Sequence, residues 1–301
     1  MDDTLKRGNV SYIVYLLLIN LGFGFSFILI KELMNVNYPI FLLIALRFAI
    51  GSFSLHVFKM FKPQRISRKE VFSGCLLGAF LFLGFVFQTT GAALTTPAKN
   101  GLFTGLYVIF VPIIVMIAKK EFRWKPLALS LFCFVGVVFI SNVFSDIAIN
   151  TGDLLTIACA LAFALHFVFT EKYAPTLNPI NFTLIQLTVV ALASSLISIA
   201  TETNLYSIVK MDKYMMIVIF LGLVETGLCL SIQTHIQSKI KADVIAVISC
   251  MESVFAVMFA IIFGYDMLTL SLILGAIIIV SSMIISATSK HKLIDSESNR
   301  S

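Results

Sequence analysis

Residues 12–30 read Tyr12-Ile-Val-Tyr-Leu-Leu-Leu-Ile-Asn20-Leu-Gly-Phe-Gly-Phe-Ser-Phe-Ile-Leu-Ile30, nineteen positions without one charge. The hydrocarbon core of a bilayer needs about 20 mostly apolar residues per helix. The run is too long for the apolar core of a secretory signal. It lacks a small-residue cleavage site and ends in Lys31-Glu32. It is expected to stay in place as a membrane helix.

Read outward from that stretch, the chain repeats the pattern. Further spans are expected at Ile40–Phe58, Val71–Thr89, Ala98–Ala118 and Pro126–Val143, which complete a first set of five. A second set follows at Gly152–Thr170, Ile180–Ala200, Tyr214–Thr234, Val244–Phe263 and Leu268–Thr288. Turn-forming residues mark the breaks: Asn37-Tyr38-Pro39, Lys62-Pro63, Thr96-Pro97, Lys125-Pro126, Asn178-Pro179 and Gly264-Tyr265-Asp266. The segments are continuously apolar rather than alternating, so strands of a barrel are excluded.

Composition points the same way. Of 301 residues, 59% are apolar and 13% charged, against about a quarter charged in a soluble domain. A soluble globule of this size has too little interior to hide so much apolar surface. A disulfide scaffold, a disordered chain and a nucleic-acid binder are excluded on these grounds. The five cysteines (Cys75, Cys133, Cys159, Cys229, Cys250) sit in apolar stretches without CxxC spacing, and the four histidines are scattered. No metal or other cofactor is expected. A phosphate-binding GxxxxGK[ST] loop is missing, which disfavours work driven by ATP.

The Lys and Arg residues set the orientation. Seventeen of the 22 fall in one set of alternate loops and termini, four in the other, and Arg47 lies inside a span. Basic loops stay on the cytoplasmic side, so both termini are expected there, and the charge of +6 is a topology signal. The organisation is then a cytoplasmic N-terminus over 1–11, a five-helix unit over 12–143, a second over 152–288 and a cytoplasmic tail over 289–301.

The two units echo one another. Leu21-Gly-Phe-Gly-Phe-Ser-Phe-Ile-Leu-Ile-Lys31 aligns with Leu161-Ala-Phe-Ala-Leu-His-Phe-Val-Phe-Thr-Glu171 at an offset of 140, and the same offset carries Pro39 onto Pro179. Gln88-Thr89 aligns with Gln233-Thr234 at 145. Five helices is an odd number, so the second unit enters from the opposite face. The expected fold is all-α: ten transmembrane helices as two inverted five-helix repeats. Gly74-x-x-x-Gly78, Gly101-x-x-x-Gly105, Ala160-x-x-x-Ala164 and Ala256-x-x-x-Ala260 read as helix-packing spacings.

A set of motifs in fixed order runs through both units. The first has Gly24-x-Ser26-Phe27, Lys31, Pro39, Arg47-Phe48, Gly91-Ala-Ala-Leu-Thr95-Thr-Pro-Ala-Lys99-Asn-Gly101, Gly105-Leu-Tyr107 and Pro112. The second has Gly152-Asp-Leu-Leu, Ala164-Leu-His166, Pro179, Gln186, Gln233-Thr, Glu252-Ser-Val-Phe-Ala256, Asp266-x-Leu-Thr269 and Gly275. In this order the chain resembles the EamA-type ten-helix proteins of the drug/metabolite transporter superfamily. It departs at Phe23, where tryptophan is usual, at Ser253 in place of proline, and at Tyr265-Asp266 in place of Gly-Glu. The resemblance implies a bundle around a central cavity, alternating access, and export or exchange of a small metabolite.

Ionisable residues in hydrocarbon cost at least ~2.5–3.5 kcal/mol on insertion scales, and so mark function or a fixed partner. Arg47, His166, Glu225 and Glu252 lie near mid-span, with Asn20 and Gln186 at similar depth. Gln88, Lys99 and Asn100 lie nearer the outer face; Tyr107 follows Asn100 by seven residues, on one helical face. The expected cavity set is Asn20, Arg47, Gln88, Asn100, Tyr107, His166, Gln186 and Glu252. A buried carboxylate must be paired or protonated, which makes Glu252 first, and Glu225 second, the candidates for proton coupling. A carboxylate paired to Arg47 would be structural and leave the other as carrier.

The expected function is secondary transport, in the export direction, of a small metabolite such as an amino acid across the cell membrane. A nucleotide-sugar or phosphate-ester antiporter of the same fold is the alternative; it needs several cavity cations. A multipass receptor and a membrane enzyme lack their usual signatures, and no enzymatic activity is expected. The partners are the small-molecule substrate and the lipid bilayer, with monomer and homodimer both compatible with the sequence.

Overall fold

The computed structural model describes residues 2–61, 63–95, 97–141, 149–208, 212–265 and 267–288. Val143 at the expected end of the fifth span, Lys62, Thr96, Asp266 and the tail 289–301 lie outside the described residues. Among the described residues ten helices are long and apolar enough to cross a membrane. In hydrocarbon every backbone N–H and C=O must be paired inside the segment, and a helix does this with its own carbonyls. The protein is a multi-pass membrane protein.

The first unit comprises α1 (Asp2–Asn35), α2 (Ile40–Phe61), α3 (Arg68–Leu94), the short α4 (Pro97–Thr104) followed by α5 (Tyr107–Lys119), and α6 (Trp124–Ser141). The second comprises α7 (Thr151–Tyr173), α8 (Pro179–Thr201), α9 (Lys213–Phe220) running through a π-helical stretch over Leu221–Cys229 into α10 (Leu230–Gln237), α11 (Ala242–Ser249) with α12 (Met251–Ile262), and α13 (Leu270–Thr288). Three of the ten spans are thus irregular. The continuous apolar runs suggested unbroken helices, whereas the fourth and ninth spans are interrupted and the eighth changes its winding.

Caps explain where several helices start. Ser67 accepts from the Glu70 amide while the Glu70 carboxylate accepts from the Ser67 amide, a reciprocal cap on α3. Asn150 and Asp153 do the same for α7. Asn178 accepts from the amides of Ile180 and Asn181, with Pro179 at the first helical position of α8.

Two acids reach across the bundle. Glu202, just past α8, accepts from the amides of Phe41 and Leu42 at 2.9 and 2.8 Å, in the first turn of α2. Glu70, in the first turn of α3, the helix that follows α2, accepts from the Asn178 amide at 3.0 Å, at the start of α8. Each of these spans therefore begins on an acid that follows the end of the other, at the positive pole of the helix dipole.

The main helix contacts pair α3 with α7, α2 with α8 and α6 with α13. The α8 helix also packs on α3, and the π stretch packs on α2; α1 packs on α12, and α7 on α4 and α5. Large apolar side chains such as Phe53 and Leu196 point outward, 69% and 70% exposed, as lipid contact requires. Where helices meet closely the residues are small. A Cβ on Gly24 would stand 2.6 Å from the Phe255 Cβ and 2.9 Å from the Glu252 carbonyl oxygen, so α1 can approach α12 this closely only at glycine. Gly74 and Gly78 lie against Ile185 and Val189 of α8 in the same way, whereas nothing stands within 4 Å of a Cβ at Gly101.

Candidate functional site

A cavity of about 400 Å³ lies between the two units. It reaches Lys31 and Asn35 at the end of α1 and Ala92 near the end of α3, and descends to Leu230 and Gln233 on α10. Its upper rim carries Lys31, whose ammonium sits 4.7 Å from the Tyr265 ring centroid. Phe23, Phe27, Phe85, Phe163 and Phe167 make much of the wall.

The irregular spans put polar groups on that wall. The fourth span turns at Gly105-Leu106, and α5 restarts at Tyr107; the ninth turns at Cys250, and α12 restarts at Met251-Glu252. Both restarts face the cavity, and the Tyr107 hydroxyl donates to Glu252 Oε1 at 3.4 Å, joining the two. That separation is long for a hydroxyl on a carboxylate, so Glu252 remains open to another partner. No Lys or Arg pairs with Glu252 among the described residues. Interrupted membrane helices are tolerated where they line such a cavity.

The π stretch in the eighth span carries Glu225. Its Oε2 stands 2.6 Å from an Arg47 terminal nitrogen, both side chains buried, and Arg47 Nε donates to the Thr226 hydroxyl at 3.1 Å. The Arg47–Glu225 contact is an ion pair by distance rather than a well-directed hydrogen bond. The guanidinium also lies 4.8 Å from the Phe85 ring centroid, so its charge is held on three sides.

Of the residues expected in the cavity, Gln88, Asn100, Tyr107, His166 and Glu252 line it, as does Glu225. Three stand behind the wall. Arg47 is occupied by Glu225, while Gln186 meets the His166 ring nitrogen Nε2 at 2.7 Å. Asn20 donates to the Ile248 carbonyl at 3.0 Å, two residues before the break in the ninth span. Asn100 donates to the Gln88 carbonyl and the Thr156 hydroxyl, tying α4 to α3 and α7. Lys99 stands 3.9 Å from Asp153. Lining residues that the sequence reading did not select include Ser26, Lys31, Asn35, Thr89, Gln233, Ser249 and the phenylalanines; with 28 Phe in the chain, no pattern singles out the five on the wall.

Ion pairs join the two units at the ends of α5 and α7 and at the start of α11. Lys119 pairs with Glu171 at 3.2 Å, Arg123 with Asp243 at 3.2 Å, and the Ala242 amide donates to Glu171 at 2.6 Å. These contacts join the α5–α6 turn and the end of α7 to the start of α11.

A ten-helix membrane bundle with broken spans around a mainly apolar cavity that carries several polar side chains fits a carrier. The profile of the EamA-like transporter family matches residues 10–142 and 150–288, and the chain belongs to that family, within the drug/metabolite transporter superfamily. An "Uncharacterized transporter" of Archaeoglobus fulgidus is 30% identical over 213 residues, covering 70% of this chain and 67% of that one. A solved structure described as "Crystal structure of protein" has a TM-score of 0.76 at 19% identity and covers 92% of this chain and 96% of its own. That likeness speaks to the fold alone.

Proposed function

We propose that the chain is a secondary active transporter that exports a small metabolite with an ammonium group and an apolar body, such as an amino acid, by alternating access. The carrying observation is Glu252: a carboxylate without a basic partner on a wall rich in phenylalanine. Such a wall attracts a cation through ring faces as well as through the charge. The cavity volume suits a ligand of this size. Gln88 and Gln233 add amide donors on the same wall.

The inverted repeat is supported by the helix contacts. Exchanging the two units maps α2–α8 and α6–α13 onto themselves, α3–α8 onto the π stretch with α2, and α1–α12 onto α7–α5, while the extensive α3–α7 contact has a smaller counterpart between α1 and the eighth span. With the basic loops cytoplasmic, the cavity faces outward and the ion pairs around Glu171 and Asp243 close the inner end. In the opposite state these pairs separate and the Lys31 end closes.

Glu252 is the preferred proton carrier, because Arg47 already neutralises Glu225. The phosphate-ester alternative is disfavoured by the same geometry: Arg47 is withdrawn behind the wall, Lys99 stands near Asp153, and only Lys31 of the three borders the cavity.

The test is uptake into proteoliposomes of a panel of labelled amino acids, amines and phosphate esters, with and without a pH gradient. Glu252→Gln should remove the dependence on the gradient and spare exchange. Should Glu252→Gln and Glu225→Gln each keep normal gradient-driven transport, neither is the coupling site and a pure exchanger becomes the better description.

A further inference from the structure

A groove of about 460 Å³ lies away from the central cavity, where the end of α2 meets the loop that leads to α3. It is lined by His56, Lys59 and Met60 of α2 and by Pro63, Gln64 and Arg65 of the loop. No acid is among these lining residues. Lys59 and Arg65 make no ion pair among the described residues, so both charges are unmatched there.

The loop is held in place although its cation is not engaged. Asn181 of α8 donates its side-chain amide to the Arg65 carbonyl at 3.2 Å, and the Asn178 side chain donates to the Gln64 side-chain oxygen. The main chain is thus pinned to the start of α8 while the Arg65 guanidinium stays free. The side of α2 that runs down to the groove is apolar. Phe53, Val57 and Met60 follow one another at helical spacing and are all exposed, so they form one lipid-facing stripe that ends in the groove at Met60.

We propose that this groove binds an anionic phospholipid, its phosphate at Lys59 and Arg65 and its first acyl carbons along Phe53, Val57 and Met60. The two free cations supply the charge complementarity, and the adjoining apolar stripe selects a lipid over a soluble ion. A zwitterionic lipid would leave the net positive charge unmatched. Basic sites at the ends of membrane helices recognise anionic head groups on this principle. A topology signal alone would need the charges but neither the pinned loop nor the stripe. The assignment rests on the membrane-spanning fold and is independent of the transport reading and of orientation.

Trp124 is the one tryptophan in the sequence, so Trp124→Phe combined with Phe61→Trp gives a single reporter next to Met60. Phe61 is 81% exposed at the end of α2, where another aromatic ring meets no neighbour it must displace. This full-length protein is reconstituted in vesicles containing brominated phosphatidylglycerol or, at the same mole fraction, brominated phosphatidylcholine, with label in both leaflets. Brominated phosphatidylglycerol should quench the reporter roughly twice as strongly. Lys59→Gln combined with Arg65→Gln should bring the two lipids to equal quenching, and Lys59→Arg combined with Arg65→Lys should keep the preference. Arg68→Gln, a basic change three residues along and outside the groove, should leave it unchanged. Equal quenching of the reporter protein by both lipids overturns the proposal. So does a loss of preference in Arg68→Gln as large as that in the double glutamine variant, which would mean diffuse surface charge. Loss of the preference in inorganic phosphate, but not in chloride of the same ionic strength, overturns it too, because the ligand would then be a soluble anion.

Discussion

Arg47 and Glu225 are buried partners 2.6 Å apart, contributed by α2 and by the π stretch of the eighth span. Removing one partner strands the other charge in a medium that cannot solvate it, at a cost of about 3–5 kcal/mol. Arg47→Met and Glu225→Leu alone should each lower the unfolding midpoint of the purified protein strongly. Together they should recover most of the loss. A double variant no more stable than either single would show that the pair does not act as a unit.

Gly24→Ala tests the contact of α1 with α12. The added methyl meets Phe255 and the backbone at Ala256 and Glu252, so the helices must part by several tenths of an ångström. Overpacking of this kind costs about 1–3 kcal/mol. Because the displaced backbone carries Glu252, transport should fall further than stability does. Uptake per correctly folded molecule is the measurement, and an unchanged rate would remove Gly24 from the positioning of Glu252.

Tyr107→Phe keeps the edge contact with Phe167, whose ring centroid lies 5.4 Å away, and deletes the hydroxyl that meets Glu252. Folding should be unaffected and transport should drop several-fold. Tyr107→Ala and Gln88→Ala should both alter transport kinetics. If both leave them unchanged in properly inserted protein, the cavity assignment fails.

Topology is tested by labelling single cysteines placed in a background without the native five. A membrane-impermeant reagent added outside should reach Asn204→Cys and Ile149→Cys, and should miss Lys120→Cys and Arg68→Cys. All four sites are exposed, so access depends on sidedness alone. Labelling of Arg68→Cys and Asn204→Cys from the same side would falsify the proposed topology.

How far the sequence could be read follows from what each feature depends on. The spans were legible because a run of about 20 apolar residues is a local property. The shared offset of Pro39 and Pro179 was visible for the same reason. The breaks were not. Leu106 and Cys250 keep right-handed helical backbone angles, near φ −58°, ψ −19° and φ −61°, ψ −14°, which any residue can adopt. Nor does the sequence around Glu225 announce a π stretch.

Rotation about each helix axis was the second obstacle. Spans apolar on every side have no polar stripe to show which face is inward. Depth alone therefore put Asn20, Arg47 and Gln186 beside Gln88 and Tyr107, although the first three point behind the cavity wall. The partnership of Arg47 with Glu225 is a contact between residues far apart in sequence. What the sequence did supply was the conditional argument that pairing one carboxylate to Arg47 would leave the other as carrier, and the geometry identifies Glu225 as the paired one.

The exchange of caps between α2 and α8 has a mechanical consequence. Glu202 holds the start of α2, and Glu70 holds the start of α8. These helices run in opposite directions, so the two anchors lie at opposite ends of one interface. Sliding α8 along its neighbours by a single residue, about 1.5 Å, breaks both anchors at once, because α8 is held by Glu70 at its start and carries Glu202 at its end. The pair therefore forms a fixed post through the protein. If the proposed alternating access holds, the motion that exchanges the open and closed ends would pivot around this post, with α1 and α12 on one flank and α5 and α7 on the other.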